Sequence, residues 1–520
     1  MKNNKRKYIF IIAGVILLFL VTYNLVNYIA HRKIDKYFAE NKTELPIKSF
    51  EKFHVNIWNG SLRVKNAEIV WDKNDRNSAK IKNLSIKGLK LIKLWRKEDI
   101  DIRLIEIKNT ELTLIKGKPS DEEKEKTDKE EKNNDVPFIH VDKIKLKNLV
   151  LIQNDKEGEN LTHLKITKGT FKNFNIKDVD KPHEWFETLD SYELEVTELS
   201  HKTSDWEVLE AKKLTIDNKE YKAEKVRFYT ELGIKEYNAR LPHERDHYDI
   251  SIPEIKISAT HWDKDYDANR QRFKVDSIII NSPELEIYRD KLLPDDESYK
   301  PMFSQLLREL NFDIQTEVLK INDGDIKYNE RVNEDNNGGT VHLSDFNAIV
   351  NDAGNFKEVN KDKDVQIHVE STFMESGAIS ADWHFNTQNT SDVFNFKAKI
   401  QHLQAKNANA FIEPNLKVRM EGKLDEVYIN INGNRAKSNA DFAIRFHELH
   451  VDLLKKDNKE KNKLLSAIAN IFVKKDSKTK DDEYMNEASV EIERDTTKSI
   501  FNFLWKNTLE GLKETTINKL

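Results

Sequence analysis

The sequence predicts a mainly β protein in which an N-terminal transmembrane helix precedes an elongated, curled and repeat-like antiparallel β-sheet. A few amphipathic helices are expected, most of them near the C-terminus. Three features of the 520 residues lead to this fold class. They are one long apolar segment at the start, a period-two alternation of apolar and polar residues after it, and a recurring strand unit that reverses this alternation.

The apolar segment occupies residues 8–30 and follows four basic residues, Lys2, Lys5, Arg6 and Lys7. Its 23 residues make a helix of about 35 Å, enough to cross a hydrocarbon core of roughly 30 Å. No small-x-small cleavage site follows, so an uncleaved anchor is favoured over a signal peptide. Because positive residues stay on the cytoplasmic side, residues 1–7 are predicted to be a cytoplasmic tail and the remaining chain to lie across the membrane.

The composition excludes several classes of function. The formal net charge is -4 and acidic residues are interspersed with the basic ones, so a nucleic-acid partner is not expected. The chain has no cysteine, which excludes disulfides, cysteine-ligated zinc and thiol catalysis. No later stretch approaches the roughly 18 apolar residues of a spanning helix, so only one membrane span is predicted.

Alternation of aliphatic with charged or polar residues dominates the rest of the chain, as in 81–87 and 248–257. Such segments are typical of strands with one dry side and one solvent-facing side. Only 15 glycines and 10 prolines punctuate the sequence, which predicts long strands. Residues 116–135 contain no apolar side chain and are predicted to be a disordered insertion.

A unit recurs within these strands: apolar, any, small polar, any, acidic, apolar, any, apolar. Apolar residues before the small polar residue and those after it would point to opposite faces of a regular strand. The reason is that the last apolar position before it and the first one after the acidic residue are an odd number of residues apart. A bulge or turn at the small polar residue would return both flanks to one face, and Asn, Ser-Pro and Asp-Gly suit such a position. Strong copies occupy residues 64–71, 107–114, 280–287 and 321–328, with looser copies at 146–151 and 166–171.

Repetition of this unit favours an extended sheet in which each unit buries its apolar side only against its neighbours. If the sheet curls without a second layer, its dry side forms a groove for acyl chains, worth about 0.8 kcal/mol per buried methylene. A core closed by the sheet itself or by helices fits the same pattern. The candidate groove-lining residues are Leu62, Val64, Ile69, Trp71, Ile105, Ile107, Leu112, Leu114, Ile278, Ile280, Leu285, Ile287, Leu319, Ile321, Ile326 and Tyr328.

Helical signals are few. Residues 302–310 follow Pro301 and have helical spacing, and two amphipathic helices are predicted at 464–473 and 494–518. The C-terminal helices would either dock on a membrane and gate the groove or, as the favoured interpretation, cap the open end of the sheet. The predicted regions after the anchor are a β-repeat region at 31–289, a helical connector at 290–315, a second β region at 316–455 and C-terminal helices at 456–520.

One segment matches a catalytic motif in its residue types but not in its predicted secondary structure. Residues 243–247 read His-Glu-Arg-Asp-His, but the zinc-protease motif needs a helix that brings both imidazoles to one side. Here the segment follows Pro242 and continues directly into an alternating strand, so no zinc site is predicted. His447 and His450 are interpreted as surface histidines. No catalytic residue, cofactor site or metal site is predicted, and the chain is not expected to be an enzyme.

The chain resembles the AsmA-like envelope proteins of Gram-negative bacteria, in a branch of uncharacterised members. The anchor, the strand unit and four segments carry the resemblance, namely residues 275–291, 302–310, 319–330 and 493–513. It implies a single-pass inner-membrane protein with its bulk in the periplasm and a curled β-sheet with a hydrophobic trough. It also implies a role in moving lipid or maintaining the outer membrane.

Two classes of function are compatible with these observations. The first is non-enzymatic binding or transfer of phospholipid or acyl chains through the groove, in support of outer-membrane biogenesis or envelope homeostasis. The second is a scaffold or protein-assembly factor that binds other envelope proteins through sheet edges or charged loops, with the dry side serving only as a core. Neither class requires a cofactor.

Overall fold

A computed structural model of the chain describes Arg32 and residues 47–70, 77–90, 99–116, 138–176, 189–265, 270–454 and 486–516. Within these residues the protein is mainly β with five short helices, which confirms the predicted fold class at this level. None of the described helices is long and apolar enough to span a membrane. The predicted anchor at 8–30, and all of the predicted insertion at 116–135 except Lys116, lie outside the described residues.

The chain divides into two compact units. The first consists of residues 1–202 and 210–218, and the second of residues 203–209 and 219–520. The tenth strand, β10 (Glu207–Asp217), belongs mostly to the first unit. The other described strands of the first unit are β1 (Ile47–Ser49), β2 (Lys52–Asn56), β3 (Ser61–Val70), β4 (Ser78–Lys87), β5 (Ile100–Ile102), β6 (Leu104–Ile115), β7 (Ile139–Asn154), β8 (Asn160–Ile176) and β9 (Ser191–Lys202).

The second unit contains the remaining strands and all five helices with defined bounds. Its strands are β11 (Glu220–Thr230), β12 (His247–Asp265), β13 (Arg270–Asn281), β14 (Glu284–Asp290), β15 (Asp313–Arg331), β16 (Gly339–Asn351), β17 (Val365–Phe373), β18 (Gly377–Phe385), β19 (Phe394–Gln404), β20 (Val418–Gly433), β21 (Lys437–Leu453) and β22 (Asn486–Glu493). Its helices are α1 (Ile234–Arg240), α2 (Phe303–Arg308), α3 (Lys357–Asn360), α4 (Ala405–Leu416) and α5 (Ile500–Thr516).

The strand pairing is mixed, which corrects the prediction of a purely antiparallel sheet. In the first unit β5 and β6 pair in parallel with β7, and in the second unit β13 and β14 pair in parallel with β15. Parallel neighbours need a crossover connection of about a dozen residues or more. The chain between Ile115 and Ile139, and the chain between Asp290 and Asp313 that contains α2, are both long enough for such a crossover.

Residues with a left-handed backbone line up in both units, although β4, which has none, separates Asn66 on β3 from Asn109 on β6. In the first unit Asn66, Asn109 and Asn148 have φ of 49°, 53° and 53°. Asn109 lies opposite Asn148, whose amide group donates a 3.1 Å hydrogen bond to the side-chain oxygen of Asn109. In the second unit Ser282 and Asp323, with φ of 48° and 51°, lie opposite each other. We call these two sets the αL rows, after the left-handed conformation that Asn and Asp tolerate best.

The αL rows explain the phase reversal in the repeated unit. In β3, Lys65 and Asn66 are both exposed, and the apolar side chains resume one position out of phase. Val64 before the reversal and Ile69 after it pack against the same buried cluster, which includes Ala67. The apolar flanks of both phases therefore share one side of the sheet, which we call the apolar face. The predicted backbone change at the small polar residue of the repeat is confirmed.

The helical signals are confirmed in part. Helix α2 lies within the helix predicted at 302–310, and α5 begins at Ile500, later than its predicted start near residue 495. The delay has a local cause, because the side chain of Asp495 accepts a 3.0 Å hydrogen bond from the backbone N–H of Thr497 and forms a turn there. The helix predicted at 464–473 lies outside the described residues.

The prediction that residues 456–520 are helical is wrong for residues 486–493, which form β22. This strand pairs antiparallel with β21. Ala488, Val490 and Ile492 alternate there with polar residues, and a period of two places them on one side of a strand but on no single side of a helix.

Replacing Asp323 by valine is expected to destabilise the second unit, because a β-branched residue at φ of 51° is strained. We expect a loss of about 1–2 kcal/mol in the free energy of unfolding, measured by chemical denaturation. Asp323→Gly removes the strain and should retain the native stability. Lys320→Val, at an exposed position of ordinary strand geometry, is the matched control. Equal stability of Asp323→Val and Asp323→Gly would contradict this role of the backbone.

Candidate functional site

Apolar side chains line up across neighbouring strands of the first unit. Val64 lies opposite Leu84, Leu84 opposite Ile107, and Ile107 opposite Leu146. All four side chains are half-buried. We call these four residues the first-unit row. Soluble monomers rarely expose large contiguous apolar patches, and patches of this kind mark interaction sites.

The first-unit row has little cover from the described part of its own unit. From Ile47 onward, the described residues of this unit form strands and turns but no helix. The fully buried cluster there is small, consisting of Ala67, Ala79 and Ile81 close to the αL row. Val141 and Val196 are buried elsewhere in this unit, whereas the aliphatic side chains of the first-unit row stay partly accessible.

A longer row crosses the second unit. It runs through Ile257, Ile278, Leu319, Val350, Ile367, Trp383, Phe396, Ile431 and Ala440. We call it the second-unit row. Its first five members are half-buried, whereas Trp383 is 7% exposed and Ile431 is fully buried. The same face of the sheet therefore changes along this row from an accessible apolar surface into a closed core.

Helices α2 and α5 close the buried end of the second-unit row. Phe303 in α2 packs on Trp383 with the ring centroids 5.2 Å apart, and Phe503 in α5 packs on Phe394 at 6.3 Å. An ion pair fixes α2 in place, because a guanidinium nitrogen of Arg308 lies 2.8 Å from the carboxylate of Asp392. The helices thus cover the apolar face of the last strands; Val350 and Ile367 pack against the same cluster, whereas Ile257, Ile278 and Leu319 lie outside it.

The candidate groove-lining residues of the second unit are direct neighbours. Ile278 lies opposite Leu319 and Ile280 opposite Ile321, and the pairing continues beyond the αL row with Leu285 opposite Ile326. Every described member of the predicted set, in both units, is half-buried rather than part of a closed core. Trp71 lies outside the described residues.

Several residues of the apolar face belong to strands without a strong copy of the repeated unit. Leu84 on β4 separates Val64 from Ile107, and Val350 on β16 continues the second-unit row. The alternation at 81–87 marks β4 as a strand, but its place between β3 and β6 depends on strand register. The register between distant segments cannot be read from one sequence, so Leu84 and Val350 were not among the predicted groove-lining residues.

A charged row ends the apolar face on β14, on β15 and just before β12. Arg289 lies opposite Glu330 on the neighbouring strand, and its Nε donates a 2.5 Å hydrogen bond to the carboxylate of Asp246. We call Asp246, Arg289 and Glu330 the polar row. In the alternation of β14, Arg289 takes the inward position that follows Leu285 and Ile287. Extending the phase of the repeat by two residues would have identified it.

Two tyrosines join the polar row to the apolar face. The hydroxyl of Tyr248 donates to Asp246 at 3.2 Å, and the hydroxyl of Tyr328 donates to Glu330 at 2.8 Å. Burial, reinforced by the neighbouring Asp246, raises the pKa of Tyr248 to about 12. Burial likewise raises the pKa of Tyr328. Both phenols therefore stay neutral at physiological pH and remain hydrogen-bond donors beside the charged groups.

The His-Glu-Arg-Asp-His segment is not helical, and β12 begins at His247. Glu244 is only 4% exposed, and its carboxylate lies 2.7 Å from the Nζ of Lys291 and 3.4 Å from that of Lys498. The imidazole of His247 donates to the carbonyl oxygen of Leu232 at 2.8 Å. These contacts occupy Glu244 and His247, two of the three side chains that the motif would use. Among the described residues, no cluster of His, Asp and Glu is arranged to hold a metal ion.

Searches against protein-family models and against curated proteins found no match for this chain. The similarity to AsmA-like proteins therefore stays a prediction based on the sequence segments quoted above. The apolar face and the polar row at its end are the features of the molecule from which a function can be inferred.

Proposed function

We propose that the protein binds lipid, with the acyl chains lying along the accessible part of the apolar face. It acts without chemical conversion of the lipid, as a membrane-anchored periplasmic protein of the AsmA-like type. Its role is to bind or transfer lipid in support of the outer membrane and of envelope homeostasis. The residues that contact acyl chains are the half-buried members of the first-unit and second-unit rows and their neighbours on the same face.

One observation carries this proposal. The second-unit row is completed as a core where α2 and α5 cover it, whereas Ile278 and Leu319 are half-buried and lie outside the core cluster formed by the described residues. An acyl chain would supply a covering layer there. Ten methylenes buried there would be worth about 8 kcal/mol before the costs of association are subtracted. Such binding needs no directional contacts, which fits a surface built from aliphatic side chains.

Organic extraction of the purified full-length protein tests the proposal. The protein would be purified in detergent, exchanged repeatedly into lipid-free detergent, and extracted for mass spectrometry of lipids. Retention of lipid in stoichiometric amount supports binding on the apolar face. A folded protein that retains none would favour the second candidate, a scaffold whose apolar face contacts other envelope proteins.

The proposed location has its own test. A reporter that is active only outside the cytoplasm, fused after Leu520, is expected to be active, because the basic residues before residue 8 would hold the N-terminus inside. A fusion to a reporter that is active only in the cytoplasm is the control. Activity of the cytoplasmic reporter alone would reject the periplasmic location.

A further inference from the structure

The polar row indicates what kind of lipid the apolar face accepts. On β14 and β15 the inward positions change from Ile287 and Tyr328 to Arg289 and Glu330 within one step of the alternation. We propose that the polar row binds a zwitterionic phospholipid headgroup with a phosphate and an ammonium group, while the acyl chains extend over Leu285. This inference rests on the proposed lipid binding and adds the class of headgroup to it.

Arg289 is the group that would hold the phosphate. Its Nε is engaged by Asp246, and its side chain is 26% exposed. Within the described part of the chain, its two terminal amino groups have no protein acceptor. A guanidinium with two free, parallel N–H donors matches the oxygens of a phosphate. Asp246, which also accepts the hydroxyl of Tyr248, holds the guanidinium through its Nε and orients the free donors before a ligand arrives.

Glu330 is the group that would hold the ammonium. One carboxylate oxygen accepts the hydroxyl of Tyr328 at 2.8 Å, and the other has no protein donor among the described residues. Arg289 and Glu330 are direct partners on adjacent strands, whose backbones lie about 4.8 Å apart. A phosphate and an ammonium joined by two carbons can bridge two side chains at this spacing.

The charges of the polar row favour a headgroup that carries both signs. Two acids and one arginine give this row a formal charge of one negative unit. A headgroup with phosphate alone would neutralise Arg289 but would bring its own negative charge close to Glu330. A headgroup with an ammonium group as well offers an opposite charge to each partner, so phosphatidylethanolamine should be preferred over phosphatidylglycerol.

Photocrosslinking of the full-length protein in detergent micelles tests this preference. The probes are phosphatidylethanolamine and phosphatidylglycerol with the same photoreactive group in the acyl chain, and crosslinked peptides from β14 and β15 are quantified by mass spectrometry. We expect about tenfold more crosslinking by phosphatidylethanolamine. Glu330→Gln, which keeps the size and the Tyr328 contact, should abolish the difference. Arg289→Gln should lower crosslinking by both probes.

A matched control is Arg227→Gln. Arg227 makes an equivalent ion pair with Asp249, at 2.9 Å, on the opposite side of the sheet, and its loss should change neither probe. Thermal unfolding of each variant, with Arg289→Lys as a milder change, separates loss of binding from loss of fold.

The outcomes separate the two proposals. Equal crosslinking by both probes in the native protein, or no effect of Glu330→Gln, would overturn the headgroup proposal and leave lipid binding intact. Absence of crosslinks to the apolar face with either probe would reject lipid binding itself. Competition by micromolar glycerophosphoethanolamine would show that the row binds a soluble molecule rather than a lipid, which also overturns the headgroup proposal.

Discussion

Replacing Ile431 by glutamate is expected to unfold the second unit. Ile431 is fully buried, lies between Phe396 and Ala440 in the second-unit row, and belongs to the main hydrophobic cluster. A carboxylate there would have no water and no partner, and the lost aliphatic contacts add to the cost. We expect a loss of about 4 kcal/mol or more, which is a large part of the stability of a typical domain.

Thermal and chemical unfolding followed by circular dichroism measure this effect. Lys320→Glu, at an exposed position of β15, serves as the control for introducing a glutamate into the sheet. A variant Ile431→Glu with the native unfolding midpoint would show that helices α2 and α5 do not seal the end of the second-unit row.

Ile278→Glu is expected to keep the fold and to remove bound lipid. Ile278 is the same residue type on the same face and in the same row, but it is half-buried and lies outside the cluster that the described helices cover. A glutamate there can turn its carboxylate to water, so the expected change in the free energy of unfolding is within about 1 kcal/mol. A charge on the path of the acyl chains should reduce retained lipid to the background level.

Both quantities would be measured on one preparation of Ile278→Glu, stability by thermal unfolding and lipid by extraction. Ile107→Glu repeats the test in the first unit, with Lys108→Glu as the outward-facing control, and Glu286→Lys is the corresponding control on β14. If Ile278→Glu unfolds the protein as completely as Ile431→Glu does, the apolar face is a closed core at that position. Lipid binding would then fail there, and the scaffold function would be favoured.

The sequence predicted the least usual part of the backbone correctly. An odd gap between apolar positions in a repeated strand cannot be satisfied by uniform alternation, so a change of backbone conformation had to occur at the small polar residue. The structure has a positive φ at Asn66, Asn109, Ser282 and Asp323, all of which hold this position in the repeat. The left-handed conformation costs Asn and Asp less free energy than it costs other non-glycine residues, so these residue types indicated the position in the sequence.

Other left-handed positions carried no such signal. Lys225 and His402 have φ of 53° and 61° within strands, although neither residue type favours this conformation over a regular strand. Lys225 lies opposite Pro253 on the neighbouring strand. The parallel pairing of β6 with β7 and the cover of the second-unit row by α5 were likewise unpredictable, because both depend on contacts between distant segments.

The candidate site likewise has one part that the sequence predicted and one part that it did not. The half-buried state of Ile107, Ile280 and Leu285 agrees with their predicted inward phase, since phase is a local property of the chain. The polar row was not predicted, because Arg289 is one of many charged residues in the sequence. Only its pairing with Asp246 and Glu330 shows that it ends an apolar surface.

The αL rows also act as alignment marks during assembly of the sheet. Long strands with uniform alternation can slip by two residues without moving any apolar side chain to the wrong face, so alternation alone leaves several registers nearly equivalent. A slip of β6 against β7 would separate Asn109 from Asn148, break the hydrogen bond between them, and set a reversed stretch against an unreversed one. The aligned discontinuities of Asn109 with Asn148, and of Ser282 with Asp323, thus favour a single register for these strands and penalise misaligned and aggregation-prone pairings.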